Sequence, residues 1–239
     1  MTMTRAENAG LIDDFGEFYR DYYSDEIDEL ARQYPNEQRS LFIDWDDLYQ
    51  FDPDLADDYR SQPAQLQEYA EEALRLYDLP VDVGLGRAHV RIRGLHETTE
   101  IRKIRARHRG QLLSIQGIVQ NATEVSPKIT EAAFECQRCG TLTRIPQTDG
   151  GFQEPHKCQG CERQGPFNIN FEQSEFVDTQ TIQLFDDPES HSNGRFPQEI
   201  EVHLEDDITG ETVAGDRIRA NGVLYLDQEK DGNRGSVLC

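Results

Sequence analysis

Residues 135–161 read ECQRCGTLTRIPQTDGGFQEPHKCQGC, and no other stretch restricts the fold as much. Cys136 and Cys139 form one Cys-x-x-Cys pair and Cys158 and Cys161 a second, with 18 residues between the pairs. That spacing falls within the range of a four-cysteine zinc site. Each pair makes a tight knuckle offering two thiolates, and two knuckles complete a tetrahedron. Gly140 follows the first pair and Gly160 lies inside the second, where the turns need small residues. With four thiolates bound, no position stays open for water or substrate, so the expected zinc is structural and not catalytic. His156, two residues before Cys158, is a spare nitrogen ligand that four cysteines make unnecessary. The loop between the pairs has little apolar content, so metal binding should supply most of its folding free energy.

The flanks of the metal loop are strand-like. EAAFEC runs straight into the first knuckle and GPFNINF resumes after the second, which makes 134–167 an insertion in a β unit. Strands are expected at 88–94, 111–120, 127–136, 167–176, 179–185, 199–204 and 216–227, with Gly, Pro, Asn or Asp between most of them. This pattern suits an antiparallel barrel rather than a parallel sheet. A five-stranded barrel with such a decoration belongs to a class that often binds oligonucleotides. A short helix is predicted at 98–107. Residues 222–239 read as a long hairpin turning at Asp231-Gly232, flanked by Lys230 and Arg234. Ending at Cys239 within the returning strand is the expected mark of a fragment.

Before Pro80 the texture is helical. Leu11, Phe15, Phe18, Tyr22, Ile27, Leu30 and Tyr34 make one apolar stripe, carried by a single helix or by two joined near Ser24. Leu66, Tyr69, Ala70, Ala73, Leu74 and Tyr77 make another. Pro53 and Pro63 punctuate the stretch between, and LFIDWDDL at 41–48 is too short to assign to helix or strand. The expected class is α+β: an acidic helical bundle over 1–80, a barrel built from 81–133 and 168–239, and the cysteine module at 134–167.

Charge divides the chain the same way. Lys and Arg number 24 against 46 Asp and Glu, a net of −22. Residues 1–80 carry −15 and residues 136–239 carry −10, whereas 81–135 carry +3. Twenty of the cations are Arg and four are Lys, which is not the Lys-rich signature of extreme heat. Acid excess at both ends fits a protein kept soluble in concentrated salt, where self-repulsion is screened. The inversion of sign comes from RAHVRIRGLHETTEIRKIRARHRG, residues 87–110, with eight cations and two acids. Two readings stand: phosphate contact, or arginines that staple the barrel onto the acidic helices. No phosphate-binding loop, dinucleotide fingerprint or nucleophile–base grouping is present. The six histidines are scattered. MTMTRAENAG holds no secretory core, and no apolar run approaches the roughly 20 residues of a membrane span. Paired cysteines in such a chain point to metal ligation in a reducing, cytoplasmic setting.

Taken in order, LLSIQGIVQNATEVSPKITEAAFECQRCG, CQGC, SEFVDTQTIQLFDDPES and EIEVHLEDDITGETVAGDRIRANGVL resemble the N-terminal region of archaeal MCM replicative helicases over nearly the whole chain. The resemblance implies an outer helical bundle, a zinc module and an OB-fold collar. It implies a homo-hexamer around single- or double-stranded DNA, zinc modules that bring two rings head to head, and a channel-facing hairpin with basic residues at its tip. Lys230 and Arg234 take that hairpin place, and Lys128, in SPKI, takes a basic motif position. Gln120 and Asn121 stand where the family commonly carries basic residues after GIV. High salt would favour that exchange, because counterion release gains little there and stacking carries more of the affinity. ATP and Mg²⁺ would belong to a motor domain outside these residues, and loop 186–197 is a candidate contact for it. The rival readings are a stand-alone zinc-ribbon nucleic-acid adaptor and a protein-interaction module that never meets DNA.

Overall fold

In the computed structural model, residues 5–79, 84–147, 151–186, 197–226 and 235–239 are described. The helical region contains α1 (Arg5–Tyr22), α2 (Ser24–Gln33), α3 (Trp45–Phe51), α4 (Pro53–Ser61) and α5 (Pro63–Arg75). The first stripe is thus two helices that meet at Tyr23. Phe15, Phe18, Tyr19 and Tyr23 are buried with Leu66 and Leu74 from α5, and the Tyr19 hydroxyl donates to Ala70 O at 2.9 Å. Pro53 and Pro63 start helices instead of interrupting them. Each occupies a first-turn position where a missing N–H costs nothing, and the Asp52 carboxylate caps α4 by accepting from the amides of Asp54 and Leu55.

The undecided segment 41–48 is half strand and half helix, because β1 (Ser40–Asp44) runs directly into α3. Its partner is β2 (His89–Arg93), paired in parallel from Ser40↔His89 to Asp44↔Arg93. The strand expected at 88–94 therefore belongs to the helical region and not to the barrel. Val90, Ile92 and Leu95 close the aromatic core against the helices. Among the described residues no helix is long and apolar enough to cross a membrane.

The barrel uses β4 (Leu112–Ala122), β8 (Glu175–Phe185), β9 (Glu199–Glu205), β10 (Arg217–Leu226) and β11 (Gly235–Leu238). Pairing runs β4–β10–β11–β9–β8 and returns from β8 to β4, which closes the ring. All these pairs are antiparallel except β9–β11, which is parallel, so the purely antiparallel expectation fails at one place. Ile115, Val119, Ile182, Leu184, Val202 and Val237 fill the interior. Two glycines allow closure. A Cβ at Gly117 would overlap the Phe185 carbonyl at the β4–β8 seam, and one at Gly222 would overlap the Leu238 carbonyl where β10 passes from β4 to β11.

The helix expected at 98–107 does not form. Thr98–Thr99 (β3) pairs in parallel with β4, and single 3-10 turns follow at Ile101–Lys103 and Ala106–His108. Ile101 is buried against the barrel, and Arg102 is anchored to Asp186 at 2.9 Å, so tertiary contacts override a helical pattern. The 167–176 strand is also interrupted: β7 (Phe167–Ile169) gives way to a 3-10 turn at Phe171–Gln173 before β8 begins. From β8 the sheet extends through β5 (Ser126–Cys136) to β6 (Leu142–Pro146) and β7, and this extension carries the cysteines.

Candidate metal centre and the charged junction

Cys136 ends β5 opposite Phe167 of β7. The two knuckles repeat one geometry. In the first, Gly140 N donates to Cys136 O at 2.8 Å with φ at 70°. In the second, Glu162 N donates to Cys158 O at 3.0 Å with φ at 56°. The residue equivalent to Gly140 is therefore Glu162 and not Gly160, which instead points its amide at Cys158 Sγ from 3.3 Å. The Cys161 amide does the same at 3.5 Å.

The four sulfurs lie within 4.8 Å of one another. Cys136 and Cys161 Sγ are 3.9 Å apart and Cys139 and Cys158 Sγ are 3.5 Å apart. A tetrahedron with metal–sulfur bonds of about 2.3 Å has edges of about 3.8 Å. The donor set and its spacing fit a four-coordinate ion, and Cys136, Cys139, Cys158 and Cys161 are the residues that would hold it. The Thr141 hydroxyl and amide draw the Cys139 thiol down to about 6, while at Cys161 the Arg163 amide hydrogen bond is outweighed by burial and by the neighbouring Cys139, Cys158 and Cys136 thiols, which push it up to about 11. Cys136 and Cys158 are buried, and Phe152 leans on Phe134 with ring centroids 5.8 Å apart.

Of the expected nucleic-acid residues, Lys128 alone falls among the described residues. Lys230 and Arg234 lie outside the described residues, as does most of the 186–197 loop. Lys128 sits on β5 and gives its ammonium to Glu205 at 2.9 Å. Gln120 and Asn121 stand exposed near the end of β4.

The basic stretch divides in two. Its first half is a staple. Arg91 reaches from β2 to Asp207 Oδ1 at 2.8 Å and to Glu205 O at 3.0 Å, while its Nε donates to Ser40 Oγ. Arg87 pairs with Glu175, Arg93 with Asp44, and Arg102 with Asp186. His89 bridges the two regions, with Nδ1 3.3 Å from Glu71 on α5 and Nε2 2.9 Å from Asp206 after β9. Asp206 also accepts from Arg39 at 2.7 Å and holds a left-handed φ of 60°. The Glu71 hydrogen bond raises the His89 pKa above its ordinary value, outweighing burial and the nearby Arg91 charge. Burial alone would raise Glu71, but the His89 hydrogen bond and charge outweigh it and hold Glu71 low. A cavity of about 660 Å³ opens beside this junction, with Glu71 and Arg75 on one side and Arg87 and Glu175 on another. The histidine went unnoticed in the sequence because its two acids lie 18 and 117 residues away.

Residues 12–93 match the MCM N-terminal domain and residues 100–228 the MCM OB domain. The chain belongs to the MCM family. It is 28% identical over 223 residues to the minichromosome maintenance protein MCM of Saccharolobus solfataricus, covering 90% of this chain and 32% of that protein. DNA helicase MCM8 of Xenopus laevis is 30% identical over 184 residues, covering 74% of this chain and 22% of that one. The chain thus spans about a third or less of the length of these curated MCM relatives. A 1.8 Å crystal structure of the N-terminal domain of an archaeal MCM superposes with a TM-score of 0.81 at 30% identity, covering 97% of both chains. Between the two matched MCM domains lie residues 94–99, where the chain leaves β2 for β3.

Proposed function

We propose that this chain is the ring-forming, DNA-holding part of a replicative MCM helicase. The observation that carries the reading is the succession of both MCM domains along one chain, with a closed barrel of the oligonucleotide-binding class and the cysteine cluster branching from it. Six copies encircle DNA. Zinc fills the four-cysteine site, performs no chemistry and fixes the shape of a module used for contacts between rings. Lys230 and Arg234 meet phosphates from the hairpin, with Lys128 as a further basic position exchanging its Glu205 partner for the nucleic acid. ATP and Mg²⁺ are bound by a motor domain elsewhere in the longer protein.

The test combines sedimentation velocity with fluorescence anisotropy of a labelled single-stranded oligonucleotide, in potassium chloride up to molar concentrations. Hexamers that bind the oligonucleotide, and weaker binding by the Lys230→Ala/Arg234→Ala variant, are expected. A zinc-loaded, folded monomer that binds the same oligonucleotide would favour the adaptor reading, and a folded chain that binds none at any salt would favour the interaction module.

A further inference from the structure

The second half of the basic stretch behaves unlike the first. Arg87, Arg91, Arg93, Arg102 and Lys103 all pair with carboxylates of this chain. Arg105, Arg107 and Arg109 are exposed, and among the described residues none of the three has a carboxylate partner. The guanidiniums of Arg107 and Arg109 have no hydrogen-bond partner there either, while that of Arg105 donates only to the carbonyls of Arg102 and Ile104. In a chain with 46 acids, leaving three neighbouring guanidiniums without one is a departure from the local rule.

These arginines sit on a fixed mount. His108 N donates to Arg105 O at 2.9 Å and Arg105 N donates back to His108 Nδ1 at 3.1 Å, closing the 3-10 turn on itself. Arg109 N bonds to Ala106 O, Gln111 N to His108 O, and Gly110 N to Leu224 O on β10. Upstream, buried Ile101 and the Arg102–Asp186 pair hold the segment to the barrel. Because Leu112 pairs with Val223, the turn lies alongside the outer end of β10. The surroundings are positive enough to show on a neighbour: His108 is held below its ordinary value by partial burial and by Arg107, Arg105 and Arg60.

We infer that Arg105, Arg107 and Arg109 form a second phosphodiester-binding element at the rim of the barrel, carried by a different segment from Lys230, Arg234 and Lys128. Guanidiniums donate bidentate hydrogen bonds to phosphate oxygens, and the turn that carries these three already has its backbone fixed. Their strong hydrogen bonding suits a solvent in which simple charge attraction is screened. The inference rests on the DNA reading above.

Its test is oligothymidylate binding by the full chain across a potassium chloride series, comparing wild type with Arg107→Gln/Arg109→Gln. A control, Arg20→Gln/Arg32→Gln, removes the same charge from exposed helix positions. Each single-strand phosphate contact contributes about 0.7 to the slope of log K against log salt, so the rim variant should bind with a slope shallower by about 1.4. Affinity should fall about tenfold or more at the lowest salt of the series, with the control unchanged. An unaltered slope in the rim variant, or an equal loss in the control, overturns the inference while leaving the DNA reading in place. A loss that tracks dissociation of the oligomer in sedimentation also overturns it, because the arginines would then serve a neighbouring copy. Wild type that binds at no salt removes the DNA reading and this inference together.

Discussion

After Cys161 the chain turns back through Glu162, whose φ of 56° is a conformation that glycine adopts freely and other residues adopt at a cost of roughly 1–2 kcal/mol. The first knuckle spends a glycine at the same place and the second does not. Glu162→Gly should therefore raise the stability of the zinc-loaded protein by about 1 kcal/mol, read as a higher midpoint in denaturant. An unchanged or lowered midpoint would mean that the Glu162 side chain makes a compensating contact. The four-cysteine cluster was legible because its signal is local: the spacing alone points to four thiols on two turns. The second knuckle does need a small residue at Gly160, where a Cβ would overlap Thr141, but the sequence does not reveal that Glu162 takes the left-handed position. Pro53 and Pro63 could be read only as punctuation for a related reason. Proline both ends and begins helices, and only the Asp52 cap and the chain that follows decide between the two.

Among the elements, the junction between β2 and the turn after β9 should be sensitive to pH. His89 lies between Glu71 and Asp206, whose carboxylates favour its imidazolium form, and Arg39, Arg91 and Arg75 complete the ring of charges around it. A histidine whose folded pKa is raised stabilises fully below its unfolded value of about 6.5 and loses that stabilisation as pH rises through the folded value. Glu71, whose folded pKa is lowered, stabilises above its unfolded value and loses its contribution as pH falls through the folded one. The junction should thus be firmest in mildly acidic solution. On going from pH 6 toward pH 8.5, stability should fall by on the order of 1 kcal/mol, about 2–4 °C in Tm for a chain of this size. His89→Gln should flatten that profile. A variant as pH-dependent as wild type would assign the dependence elsewhere. Helix stripes and barrel strands could be read from periodicity, whereas the partner of β2 could not. A strand carries its alternation without naming its neighbour, and His89–Arg93 pairs with a segment some fifty residues away that is itself half helix. The 98–107 segment shows the same limit, since its apolar spacing suits a helix but its anchors are Asp186 and the β4 residues Ser114 and Ile115.

For the whole molecule, a net charge of −22 sets self-repulsion against the arginine staples that hold the regions together. Arg91 and Asp207 are both mostly shielded from solvent, and such pairs are screened less than exposed charges. Exposed acids, by contrast, repel one another most in dilute buffer. Thermal stability should therefore rise as potassium chloride increases from tens of millimolar to molar, the signature of a protein adapted to concentrated salt. A midpoint that falls with salt would mean that the ion pairs of the junction outweigh the repulsion.

The eleven residues of β8 pair first with β5, under the cysteine module, and then with β9 and β4 at the barrel seam. No linker separates the module from the barrel along this strand. The cysteine module and the barrel seam at Gly117 thus share one unbroken strand, and the position of the knuckles relative to the seam is set by its hydrogen-bonded register.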